Sequence, residues 1–210
     1  MKFPAHHNLH FCAEQFGKFA RRAFILTPHR STRFKSRRNT AQLNTRMAGA
    51  TDSRIQRVAE TLENYAQRGV FRGFGRGPVR QGKASFKMLW HRDQTFELIF
   101  DTQKNTLRFP LVLPNVPANF AMYQELKQFI AAQHADELPE HRRIDRTLTQ
   151  IQPSNRGGKV ALTAQFTAGN DAYATRKLIH LVHEIFLTFL YDGKYFEYLV
   201  ETFELDPDKM

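Results

Sequence analysis

Residues 84–113 read ASFKMLWHRDQTFELIFDTQKNTLRFPLVL, and the fold turns on this stretch. Phe86, Met88 and Trp90 fall at every second position. So do Phe96, Leu98 and Phe100, and then Leu107, Phe109, Leu111 and Leu113. A two-residue period places each set on one face of a strand. His91-Arg92-Asp93-Gln94 and Asp101–Asn105 are turn-forming interruptions. The pattern predicts strands at 84–90, 95–100 and 106–113, joined as an antiparallel meander. Pro110 removes one ladder donor, which calls for a sheet edge or a bulge in the third strand.

Upstream, Ile55, Val58, Ala59, Leu62 and Tyr65 or Ala66 recur at helical spacing. They predict a helix from Ser53, capped by Ser53 or Asp52, to about Arg68, with Gly69 as the stop. Between that helix and the meander lie Gly73, Gly75, Gly77 and Pro78, which predict an irregular turn. Downstream, Asn115-Val116-Pro117 opens a second helix running to about His134. Phe120, Tyr123, Phe129 and Ile130 lie on its apolar stripe, and Pro117 suits a first turn because it has no amide to satisfy. Residues 135–146 form a charged connector. Residues 147–151 and 159–166 pair as a hairpin around the loop Pro153–Gly158. A strongly apolar helix follows over about 172–190, and a short one over 195–203. The order is α-β-β-β-α-β-β-α-α. It predicts an α+β fold with an antiparallel five-stranded sheet, a three-strand meander plus hairpin, packed against helices.

Charge is distributed unevenly along the 210 residues. The net charge is +11, yet residues 1–50 carry ten Lys or Arg against the single acid Glu14. Residues 51–210 carry 21 basic and 19 acidic residues, nearly balanced. The chain therefore divides into a basic leader, 1–50, expected to be disordered, and one α+β domain, 51–210. Three main readings of the leader stand beside that of a plain solvated arm. It is a polyanion-binding tail with Arg37 and Arg38 on phosphates, an Arg-rich transit peptide, or an extension upstream of a start at Met47. The last is preferred, because a well-patterned helix begins soon after Met47. The one cysteine, Cys12, excludes an intramolecular disulfide and fits a reducing compartment, so a cytoplasmic location is expected. No apolar run is long enough to span a bilayer.

The element order over residues 53–190 resembles the type III secretion chaperone-like fold shared by the YbjN-type bacterial proteins. The blocks Leu181–Leu187 and Asp192–Val200 also look like those of uncharacterised bacterial proteins. The resemblance implies a domain that dimerises and binds extended peptide segments, without catalysis. The helix after Gly193 and the glycine-rich turn depart from that pattern.

Three groups invite chemical readings. His180, His183 and Glu184 share one helix side, but His-x-x-His-Glu matches neither zinc-protease order, so structural or surface histidines are expected. Gly73–Gly77 lacks the dinucleotide spacing and precedes a strand, so no phosphate cradle is expected. Phe71, Phe74, Phe86, Trp90, Phe96, Phe100 and Phe109 are read as core, with exposed aromatics on a bare sheet as the observation that would make them base-stacking platforms. No catalytic residue, cofactor or metal is read from the sequence. The expected function is a non-enzymatic protein- or peptide-binding domain of chaperone-like or regulatory type. It would act as a homodimer, with Pro110 on an exposed edge and Leu181, Ile185 and Phe189 as candidate interface. The alternative is a nucleic-acid binder using the leader and residues 72–83, with Arg72, Arg76, Arg80 and Lys83 as contacts. A small enzyme would need a deep polar pocket.

Overall fold

The computed structural model describes the backbone of residues 34–116 and 120–206, and side chains from Gly49 onward except Phe120. Cys12, the side chains of Arg37 and Arg38, and the helix-opening role of Pro117 lie outside the described residues. The chain divides into two units, Met1–Thr40 and Ala41–Met210. The first contributes only the helical backbone of residues 34–40, and everything below concerns the second.

Helix α1 spans Phe34–Gln67, so it does not begin at Ser53. Residues 34–50 include three Ala and three Arg and contain no proline, so nothing stops the helix before Gly49, which costs about 1 kcal/mol and is tolerated. The final third of the expected disordered leader is thus helical. Ser53 lies inside α1, where its hydroxyl donates to the Ala50 carbonyl at 2.9 Å instead of capping amides. Ile55, Val58, Ala59, Leu62 and Tyr65 are buried, as their spacing requires.

The fold is α+β with one antiparallel sheet, but the sheet has six strands rather than five. The additional strand is β1, Gly73–Arg80, in the stretch expected to be an irregular turn. It pairs with β2, Lys83–Trp90, and its register slips by one residue between Arg76 and Val79. Glycine here serves close approach. A Cβ on Gly77 would stand on Ser85 Oγ and lie 3.1 Å from the Ser85 carbonyl oxygen. The bulge and Pro78 are tolerated because β1 is an edge strand.

β2, β3 (Gln94–Asp101) and β4 (Thr106–Leu113) form the expected meander. Phe86, Met88, Trp90, Phe96, Leu98, Phe100, Leu107 and Phe109 all face the core. Pro110 marks a bulge and not an edge. β4 is central, flanked by β3 and β6, and its register with β6 shifts between Phe109 and Leu113. The register moves by two residues across this stretch, with Leu111 turned outward and Val112 in the core beside Leu113.

Helix α2, Phe120–Ala132, buries Met122, Leu126 and Ile130 and packs on β5. β5 (Thr149–Arg156) and β6 (Lys159–Phe166) form a hairpin of unbroken register. The strands run further than expected, because Gly157 and Gly158 supply two positive φ angles, 57° and 79°, and close a two-residue turn. The Thr167 amide donates to the Leu148 carbonyl. By antiparallel alternation the backbone groups of Thr149, Ile151, Pro153 and Asn155 therefore point away from β6. Pro153 has no donor on that outer side, and its carbonyl accepts from the Tyr123 hydroxyl at 3.2 Å. The final order is β1-β2-β3-β4-β6-β5, with a proline guarding each edge.

Helix α3, Asp171–Glu184, continues as a π-helical segment, Ile185–Tyr191, before the short α4, Phe196–Thr202. Leu181, Ile185 and Phe189, the candidate interface, are buried in this chain's own core. The greasiness of the helix is spent on the sheet and on α2, where Phe129 meets Phe189 with ring centroids 5.4 Å apart. No helix among the described residues is long and apolar enough to cross a membrane.

Candidate functional site

The helices all cover one sheet face. The opposite face is polar, with Lys87 opposite Glu97, and Arg108 between Ile99 and Thr163. The aromatics of the meander point into the core, so the open face has none of the stacking platforms that base recognition needs. Three of the four candidate nucleic-acid contacts are neutralised locally. Arg72 pairs with Asp93, Arg76 with Glu63, and Lys83 with Asp101. Among the described residues, Arg80 on the β1 edge has no carboxylate partner.

The functional candidate lies elsewhere, between α3 and the connector that leaves α2. The connector is drawn onto the core by Ile144, whose amide donates to the Gln133 carbonyl at 2.8 Å. His134 braces it through a ring contact to the Ile144 carbonyl at 3.0 Å, and burial holds the His134 pKa below its ordinary value. From α3, Lys177 donates to the carbonyls of Glu140 and His141 at 3.3 and 2.9 Å. These ties leave a cleft of about 430 Å³ over Ile144 and Leu181. Its polar wall is His141, Arg142, Lys177, His180, His183 and Glu184.

The sequence singled out His180, His183 and Glu184, and all three line this cleft. They are not directed at one point. His180 Nε2 meets the Tyr65 hydroxyl at 2.9 Å, and His183 Nδ1 lies 3.3 Å from His91 Nε2. Glu184 faces Arg142 at 3.7 Å and accepts from Thr188 at 3.0 Å. Among the described residues no three His, Cys, Asp or Glu side chains are placed to hold a metal. Burial lowers the His180 pKa, with Lys177 and His183 adding to the shift. His91 is pushed down to about 3 by burial, with smaller contributions from His183 and Arg92. Its ring stacks on Phe186, with centroids 4.4 Å apart. Both imidazoles are therefore neutral at pH 7, and Lys177 and Arg142 bring positive charge to the cleft.

Lys177 and Arg142 carried no signal in the sequence. Each became part of the cleft only when the connector folded back on α3. Beyond the cleft, the outer side of α3 continues to Leu187 and Tyr191, which are 44% and 40% exposed. Arg92 lies over the Tyr191 ring at 5.9 Å. Comparison with protein-family models, curated proteins and solved structures finds no match to this chain.

Proposed function

We propose that this chain is a non-enzymatic domain, chaperone-like or regulatory in type, that binds a protein or peptide segment along the outer stripe of α3 and its π-helical extension. The observation that carries the reading is the pair Leu187 and Tyr191, large apolar side chains left exposed in the π-helical extension of the helix that lines the cleft. π-Helical turns recur at functional positions, and Leu187 and Tyr191 both lie in this one. The partner segment is acidic with an apolar anchor. Arg142 and Lys177 border the cleft and Arg92 lies over Tyr191, with the Glu184 carboxylate beside Arg142. Neither sheet edge supports strand addition, since Pro78 and Pro153 interrupt both.

An array of randomised eight-residue peptides, sorted by net charge, tests the reading with the full chain. The expected bound set is acidic with one large apolar residue, and Leu187→Asp weakens it about tenfold, the worth of one buried apolar anchor. A basic bound set, no bound set, or binding indifferent to Leu187→Asp overturns the proposal. Light scattering on the same samples reads self-association. A dimer dissolved by Leu187→Asp would assign the stripe to a second copy and displace the peptide reading.

A further inference from the structure

We infer that the cleft between α3 and residues 133–146 is a binding site for one oxyanion group, a phosphate or a carboxylate, centred on the Lys177 ammonium. The inference deepens the reading above by naming the group the cleft receives, and it rests on that reading only for the ligand's remainder. Lys177 is 8% exposed. An ammonium carries three protons, and here two go to the Glu140 and His141 carbonyls. The Tyr173 ring lies 5.5 Å from its ammonium, and among the described residues no carboxylate lies within ion-pair distance. A nearly buried cation with no carboxylate in direct contact is costly, and an anion in the adjoining cavity offsets that cost. Arg142 offers a second, planar donor set, held at 3.7 Å from Glu184 in a loose contact that a better-placed oxyanion displaces. Burial is the main cause of the lowered Lys177 pKa; Arg176 and Arg143 add positive charge around it, and the Glu140 carboxylate offsets part of this from beyond ion-pair distance. His141 lines the same wall and supplies a further donor.

The test is an amide chemical-shift titration of the full chain with inorganic phosphate and, separately, succinate, each against sodium chloride at matched ionic strength. Expected are saturable shifts confined to residues 140–144 and 177–184, with the tighter of the two ions assigning phosphate or carboxylate. Arg142→Gln should weaken binding about tenfold, the value of one charge-assisted hydrogen bond, while leaving the fold intact. Lys177→Gln should abolish it, and Arg142→Gln keeps the question decidable if loss of the Lys177 ties unfolds the connector. Shifts spread over the basic surface, shifts matched by chloride, or affinity unchanged in Arg142→Gln overturn the site. Because free phosphate and succinate are too small to need Leu187 or Tyr191, loss of ion binding with retained peptide binding sinks this inference alone. The converse sinks only the peptide reading.

Discussion

Asp171 is wholly buried at the start of α3, and it is the anchor that locks α1 onto the fold. Arg54 Nε and one terminal nitrogen reach Asp171 Oδ1 at 3.0 and 2.7 Å, and Arg57 reaches Oδ2 at 3.0 Å. Arg54 also donates to the Thr102 carbonyl and to Asn105 Oδ1, both at 2.8 Å. The two arginines are unequal. The Arg54 side chain is 18% exposed and Arg57 47%. Asp171→Ala strands Arg54 as an unpaired, largely buried cation, which costs about 3–5 kcal/mol. The half-exposed Arg57 contact contributes about 0–1 kcal/mol. For a domain of this size about 4 kcal/mol corresponds to a fall in Tm of roughly 10–15 °C. Urea and thermal melts of Asp171→Ala, Arg57→Ala and the apolar pair Arg54→Met with Asp171→Leu measure these values. The apolar pair should recover most of the loss, because no charge is then left buried. An Asp171→Ala protein within about 1 kcal/mol of the parent, or an apolar pair as unstable as Asp171→Ala, would refute the reasoning.

Two further outcomes are expected. His91 titrates near 3 in the folded chain against about 6.5 when unfolded. Because the folded pKa is depressed, its stabilising contribution is present above pH 6.5 and is lost as pH falls toward 3. Lowering pH from 7 to 5 should thus cost about 2 kcal/mol through this ring alone. His91→Phe keeps the stack on Phe186 and should remove that share of the loss in urea melts at the two pH values, and an unchanged pH dependence would contradict the assignment. Gly77→Ala should destabilise by about 1–3 kcal/mol through overpacking against Ser85. A neutral effect in thermal melts would mean that 73–80 is a loose turn after all.

The meander was readable in the sequence because alternation is a local signal. Phe86 to Leu113 announced three strands without reference to anything distant, and Gly193 and Asp192 likewise marked the end of the long apolar helix. β1 was not readable. Glycine has no strand preference of its own, and Gly73–Gly77 becomes a strand only because Ser85 and Leu89 lie alongside it. Pro110 shows the same limit. Its missing donor required either an edge or a bulge, and only the placement of β6 beside β4 chose the bulge. The apolar run Leu181–Leu190 was legible as a buried surface, but what buries it is a tertiary matter, and the answer is this chain's own sheet and α2.

The candidate site divides in the same way. His180, His183 and Glu184 stood out by spacing on one helix, which fixes their common side. Their partners, Tyr65, His91 and Arg142, come from other elements, and these contacts turn the three side chains apart and remove the metal reading. Nothing in the sequence marked Lys177 or Asp171 as buried, because burial is not written in a residue's own neighbourhood. The sequence by itself determined the α+β class, the meander, the hairpin and the uneven charge, all of which follow from periodicity and composition over short windows. The tertiary structure alone decided the sixth strand, the guarded edges, the buried Asp171 anchor and the Lys177 cleft, because each depends on which distant residues are brought within contact distance.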